Sequence, residues 1–358
     1  MVDRSLAISY LRSIMTGNKA LGLLAQVEFE NWISEQPGNV SNKYFSGCWI
    51  LSPRNGVPNQ RICFFTHDTI VEPDDVVSIT QRLSSDRTFH SMCSSLVRAG
   101  LGVVYSFPVC TEEVSNLNNL DWLLFRYNEE RLTLLNADGF FTSWPRRGRR
   151  GTGGPWTDHV NSRYEELDEE NLESLLLNQA FYSSFIKTRY RLTISDPYDA
   201  DGFIISYSGN VFPLEMKEKY PFETNTGLRL GIDVGRILML IRICLPLNSN
   251  AMYIVREVTN TDDRDFIGWK MVRLDTILLK SYWQGIGGGT GMTGGATQTI
   301  TMPYDAYEDI TTETISEDSL NQVSQMSDVV RAQANVFRRE VEKLFQSSNQ
   351  GRHQRTLI

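Results

Sequence analysis

The sequence predicts an α/β fold, a mixed sheet flanked by helices in the C-terminal half, behind a strand-rich α+β N-terminal domain. Three observations carry that prediction. Between residues 168 and 258 the hydrophobic pattern runs in the order helix, strand, strand, helix, strand. From residue 44 to 142 the apolar runs are short and separated by Gly, Pro, Asn and Asp, as in a strand-rich domain. The chain of 358 residues exceeds the usual reach of one hydrophobic core, so two lobes, or one domain with a large insertion, are expected.

Taken in order, residues 5 to 35 predict one or two amphipathic helices, with Leu21, Leu24, Val27 and Trp32 near helical spacing. The runs YFSGCWIL, RICFFT, GVVYSFPVC, WLLFRYN and RLTLLNADGFFTSW then predict the strands of an accessory or recognition domain spanning 1 to 144. PRRGRRGTGGPW, residues 145 to 156, is rich in Gly and Arg with little to bury, and the boundary is placed there. The second domain spans 157 to 358. It opens with DEENLESLLLNQAFYSSFIKTRY, a helix whose acidic start suits the positive end of its dipole. Gly202 to Tyr207 and Val211 to Lys217 follow as two strands joined by a tight turn at SGN, with the second strand expected to start at Leu214 if Pro213 interrupts the ladder. GLRLGIDVGRILMLIRICLP predicts a buried helix ended by Pro246, and AMYIVREV a third strand. A glycine-rich loop at 285 to 295 and a polar helix at 317 to 347 complete the chain.

Composition removes several function classes. An apolar content of 41% with 22% charged residues is that of a folded soluble domain. The net charge of −8 exerts no global pull on polyanions, so any nucleic-acid contact must be local. The five cysteines lack CxxC spacing and predict reduced, mostly buried thiols. No run reaches the roughly 18 apolar residues of a membrane span, and the N-terminus lacks the apolar core of a signal peptide, so a cytoplasmic protein without a membrane partner is expected. His67, His90, His159 and His353 are scattered, which disfavours a zinc hydrolase. GTGMTG at 289 to 294 is followed by a strand-like segment and not by the helix a dinucleotide site requires. No GxxxxGK[ST] motif is present.

The chemistry concentrates in DADGFIISYSGNVFPLEMKEK, residues 199 to 219. Residues two apart on a strand share a face, so Glu215 and Lys217 stand together opposite Phe212, Leu214 and Met216. Charges within an apolar strand are costly unless they are paired or coordinate a metal. Asp201 opens the preceding strand, from which an antiparallel partner would bring its carboxylate toward Glu215. Two carboxylates plus water and phosphate oxygens suit Mg²⁺, with Mn²⁺ as substitute, and Lys217 would stabilise charge developing on a phosphate. Glu218 and Lys219 read as solvated strand-end charges.

At these residues the sequence resembles the PD-(D/E)XK nuclease superfamily, with Asp201 opening one strand and EMK at 215 to 217 in the next. The resemblance covers about a quarter of the chain and implies a restriction-endonuclease-like fold. It makes Asp201 and Glu215 metal ligands, Lys217 the catalytic lysine, and Glu173, on the preceding helix, a fourth catalytic member. Asp199 stands as a substitute for Asp201, and Asp196 as a further candidate, because Ala200 rather than proline precedes Asp201. The implied activity is Mg²⁺-dependent hydrolysis of DNA, of restriction type or from another prokaryotic anti-phage defence system. The alternatives are a structure-selective repair nuclease and a non-catalytic DNA-binding or assembly protein on the same fold. Arg146, Arg147, Arg149 and Arg150, between Trp144 and Trp156, are the expected DNA contacts, through phosphate charge and base stacking, with a solvated linker as the alternative. Duplex DNA is the expected partner, and a homodimer is an open assembly.

Overall fold

The computed structural model describes residues 2–36, 44–53, 61–110, 117, 120–128, 130–144, 153–192, 198–260, 262–286, 299–312, 315, 320, 328 and 330–339. The protein is mixed α/β and divides into two compact units, Met1–Val211 and Phe212–Ile358. The sequence placed its boundary at 145 to 156, a stretch that lies within the span of the first unit.

In the first unit α1 (Arg4–Ile14) and α2 (Gly17–Ser34) occupy the interval expected to be helical. Asp3 caps α1, its Oδ1 accepting the Leu6 N–H at 2.9 Å. β1 (Tyr44–Leu51) and β2 (Ile62–Thr66) follow, then α3 (Val76–Ser85) and α4 (Arg87–Arg98), two helices absent from the sequence expectation. Their cause is topological, since β2 runs parallel to β3 (Gly102–Val109) and parallel neighbours require a long crossover. β4 (Asp121–Asn128), β5 (Arg131–Leu135), α5 (Ala137–Phe141), α6 (Asp158–Glu166), α7 (Glu169–Ala180), a π-helical stretch (Phe181–Arg189) and β6 (Tyr198–Ile205) complete the unit. Its strands lie in the order β6-β1-β2-β3-β4-β5. The core joining β1 to α7 and the π-helical stretch is aromatic, with Trp49, Phe64, Phe141, Phe181 and Phe185 buried together. The turn after β6 is closed by the Ser206 N–H donating to the Asn210 carbonyl at 3.0 Å, with Gly209 at φ +80, the conformation expected of SGN.

The two tryptophans flanking the arginine run are buried and are unavailable to stack on bases, contrary to expectation. Trp156 donates its Nε1–H to the Met15 carbonyl at 3.2 Å, which secures the chain leaving that run. Gly22, by contrast, sits inside α2 with open space where a Cβ would stand. Gly22→Ala is therefore expected to stabilise the protein by about 0.5–1 kcal/mol, read as a higher denaturant midpoint at unchanged slope.

The second unit contains β7 (Val211–Lys219), β8 (Phe222–Thr224), β9 (Gly227–Asp233), α8 (Val234–Leu247), β10 (Met252–Val258), β11 (Phe266–Arg273), α9 (Leu274–Lys280), β12 (Tyr282–Ile286), β13 (Thr299–Pro303) and β14 (Glu308–Asp309), with residues 330–339 helical. Here the strands run β7-β10-β11-β14, with β7 and β10 parallel, and β12-β13-β9-β8 form a separate sheet. α8 buries Ile237, Leu240 and Ile241 against Leu230, Tyr253 and Val255.

Three expectations change here. GLRLGID is strand β9 rather than the start of a helix, because Leu230 and Ile232 alternate with exposed or half-buried neighbours and Asp233 caps α8. Pro246 lies inside the last turn of α8, which ends one residue later where Asn248 takes the left-handed conformation at φ 53. Pro213 lies within β7, yet the register with β10 begins at Leu214, so its missing N–H costs that pairing nothing. The glycine-rich loop from 287 on and most of the polar C-terminal segment lie outside the described residues. Among the described residues no helix is long and apolar enough to cross a membrane.

Candidate active site

β7 carries its charges on both faces, and each face supplies partners. Glu215 is fully buried at 0% exposure. Its Oε1 lies 2.7 Å from Lys217 Nζ and 3.3 Å from Arg236 Nε. Lys217 Nζ also donates to the Met216 carbonyl at 2.9 Å. Arg236 reaches this carboxylate because Asp233 caps α8, its Oδ1 accepting the Gly235 N–H at 2.7 Å, which places Arg236 in the first helical turn. The sequence reading passed over Arg236, whose signal was a cation in the first turn of a mostly apolar helix, the same kind of anomaly that marked Glu215. Burying a carboxylate this far from water is costly unless such partners compensate it.

Tyr253 of β10 stands opposite Glu215 in register. Burial pushes its phenol well above the usual range, reinforced by Tyr307 and then by the negative charges of Glu215 and Asp233. Lys219 is the third residue on the Glu215 face. Although partly exposed at its surface, it is enclosed enough that desolvation, assisted by the charge of Lys217, pushes its ammonium down to about 8 against the opposing pull of Asp233 and Glu215. It is not a simple solvated charge. Nor is Glu218, whose side chain is only 2% exposed and pairs with Arg256 at 3.1 Å and Arg264 at 2.6 Å. That ion triad, on the opposite face of β7, fastens β10 and the following turn to β7.

The remaining predicted residues belong to the first unit. Asp201 is buried in β6, opposite Gly47 of β1. Asp199, two residues earlier on the same face, has its Oδ2 3.5 Å from Lys19 Nζ. Glu173 faces α1 and lines a cavity of about 380 Å³ with Asp3, Arg4 and Glu169, where burial raises its carboxyl. A different helical acid is tied to β6. The Tyr44 hydroxyl donates to Glu30 Oε1 at 2.8 Å and lies 3.4 Å from the Asp201 carbonyl, and Gly202 leaves the room that the Tyr44 ring needs. Nothing in the spacing of α2 distinguished Glu30 from an ordinary helical glutamate.

Desolvation pushes the Glu30 carboxyl from 4.5 to about 7, with Asp68 adding to the rise and the bonds from Tyr44 and Gln26 opposing it. The folded state thus holds this proton more tightly than the unfolded chain. The resulting stability is fully present below the unfolded value and is lost as pH rises through the folded one. We expect Glu30→Gln to remove a fall of about 3 kcal/mol in wild-type stability between roughly pH 4.5 and 7.5, read from denaturant midpoints across that range. An equal fall in the variant would exclude Glu30 as its source.

Asp196, the four arginines 146, 147, 149 and 150, and the glycine-rich loop beyond Ile286 lie outside the described residues. Among the described residues no group of three or more His, Cys, Asp or Glu side chains is placed to hold a metal ion. The Glu215 carboxylate is an oxygen donor of the kind a hard divalent ion takes alongside water and phosphate oxygens, although Lys217 and Arg236 already neutralise it. Compared with known proteins, the chain matches no family model, no curated protein and no solved structure.

Proposed function

We propose that the protein is a Mg²⁺-dependent endonuclease that hydrolyses DNA phosphodiester bonds, of restriction type or from another prokaryotic defence system. The observation that carries this reading is the fully buried Glu215 with Lys217 Nζ 2.7 Å away on one face of a strand. Residues of an E-x-K triplet on a solvated strand need no such enclosure. The order of α7, β6, β7, α8 and β10, with β7 and β10 parallel, supports it further. Lys217 Nζ, ion-paired with Glu215, places a positive charge for a phosphate oxygen gaining negative charge. Arg236 and Lys219 extend that positive field toward an arriving polyanion. The resemblance assigns Asp201 and Glu215 as the ligands of Mg²⁺, which when bound would polarise the phosphate and lower the pKa of water.

Purified protein incubated with supercoiled, linear and single-stranded DNA tests this directly. Cutting is expected with Mg²⁺ or Mn²⁺, binding with little hydrolysis in Ca²⁺, and no cutting in EDTA. Discrete fragments indicate a restriction enzyme, and a smear or preference for branched ends indicates an effector or repair nuclease. Full activity in EDTA would overturn the reading. A non-catalytic DNA-binding protein is the second reading, favoured by the way Lys217 and Arg236 already neutralise Glu215. DNA binding without cleavage in any of these ions would establish it.

A further inference from the structure

The first unit holds a cluster of cations that neither its packing nor the Glu215 site uses. Trp49 and Tyr182 stack with ring centroids 4.3 Å apart and planes 20° apart. Trp49 is locked by its Nε1–H donating to the Asn178 carbonyl at 2.9 Å. Lys19 Nζ lies 4.7 Å from the centre of the Trp49 ring and Lys187 Nζ 4.6 Å from that of Tyr182. Asp199 is within ion-pair distance of Lys19. Among the described residues no carboxylate pairs with Lys187. Two ammonium groups over one aromatic pair thus have a single carboxylate between them.

This arrangement opposes stability in two ways. Lys19 lies in the first turn of the 18-residue α2, where the helix dipole disfavours a cation. Lys187 lies in the π-helical stretch, a form that recurs at functional sites, and its ammonium is disfavoured first by burial and then by the charge of Lys19. Local rules broken together in this way mark functional positions.

We propose that Lys19 and Lys187 form a seat for a phosphate group, supplied by the backbone of bound DNA. The stacked rings beneath them are buried, so they orient the two ammonium groups and do not receive a base. A phosphate relieves the repulsion between the lysines and meets the unbalanced charge. The choice of DNA as the source rests on the proposed function; the seat itself does not.

The test is fluorescence anisotropy with a labelled duplex in Ca²⁺ across a salt series, together with thermal shift by inorganic pyrophosphate. The paired substitution Lys19→Met with Lys187→Met keeps the aliphatic stems over the rings and removes both charges. It is expected to flatten the slope of log affinity against log salt by about 1 unit while the melting temperature without ligand holds or rises. Lys187→Arg on the wild-type background is expected to keep the slope. A slope unchanged in the double variant, with pyrophosphate stabilisation lost, keeps the seat and assigns it to a free phosphate compound. If neither response changes in the folded double variant, or if melting temperature falls with binding intact, the cluster is a structural clamp and the proposal fails. DNA binding with the expected slope change but no cleavage in any ion refutes the nuclease reading alone. Normal cleavage with an unaltered slope and unaltered pyrophosphate response refutes the seat alone.

Discussion

Lys217→Ala is expected to lower DNA cleavage by about 10³-fold or more, the scale lost when a fixed charge is removed from a developing anion in a dry site. Glu215→Ala is expected to be as damaging to the rate. The two differ in stability. Removing Lys217 leaves the fully buried Glu215 carboxylate with Arg236 at 3.3 Å as its cation. A buried charge that loses a partner costs about 3–5 kcal/mol, and Arg236 offsets part of that, so a loss of about 2 kcal/mol is expected. Removing Glu215 leaves Lys217 and Arg236, whose side chains are 28% and 30% exposed and reach water. Glu215→Ala should therefore melt closer to wild type than Lys217→Ala, although both are expected to lose cleavage. Cleavage at the wild-type rate by folded Lys217→Ala sinks the mechanism. Asp201→Ala is expected to be inactive as well; activity there with loss in Asp199→Ala transfers the ligand role to Asp199.

The parts of the fold legible in the sequence were those with strong periodicity and local punctuation. The helical N-terminus, the runs that became β1 to β5, and AMYIVREV as β10 fall where alternation or helical spacing is clean. α3 and α4 were missed because SITQRLSSDRTFH is polar and its helices follow from a topological need, the crossover between parallel β2 and β3. β9 was merged with α8 because the capping role of Asp233 is invisible when GLRLGIDVGRIL is read as one apolar run. At the site, Glu215 and Lys217 were legible because charges interrupt an apolar strand. Their depth was not, since burial of Glu215 depends on Arg236 and Tyr253 brought by elements far along the chain. Glu218 and Lys219 were misread for the same reason. Sequence spacing says which face a residue takes, while the partners Arg256 and Arg264 decide whether that face is wet.

Gly47→Ala should be among the most disruptive single methyl additions in the first unit, together with Gly153→Ala, whose Cβ would meet the backbone of Arg12 and Ser13. The antiparallel register of β1 with β6 pairs Ser46 with Gly202 and Cys48 with Ala200, which sets Gly47 opposite Asp201. A Cβ built at Gly47 falls on the Ala200 carbonyl oxygen, well inside contact distance, and lies 3.0 Å from the carbonyl carbon and oxygen of Asp201. These obstacles are backbone, so no side-chain rotation relieves the clash. β1 and β6 must move apart or the strands must lose their register at this point. Overpacking of this kind costs about 1–3 kcal/mol, and a backbone clash lies at the upper end. Because the displaced peptide is that of Asp201, cleavage should fall further than stability does, by about 10²-fold when a metal ligand shifts by an ångström. Gly22→Ala adds the same methyl where nothing lies within 4 Å, and it controls for the change in composition. Melting curves and Mg²⁺-dependent cleavage of both variants check the prediction. If Gly47→Ala melts with wild type and cuts with wild type, close approach at Gly47 does not hold Asp201 in place; if it melts lower but cuts normally, Asp201 is a structural residue of β6 and the ligand must be sought elsewhere.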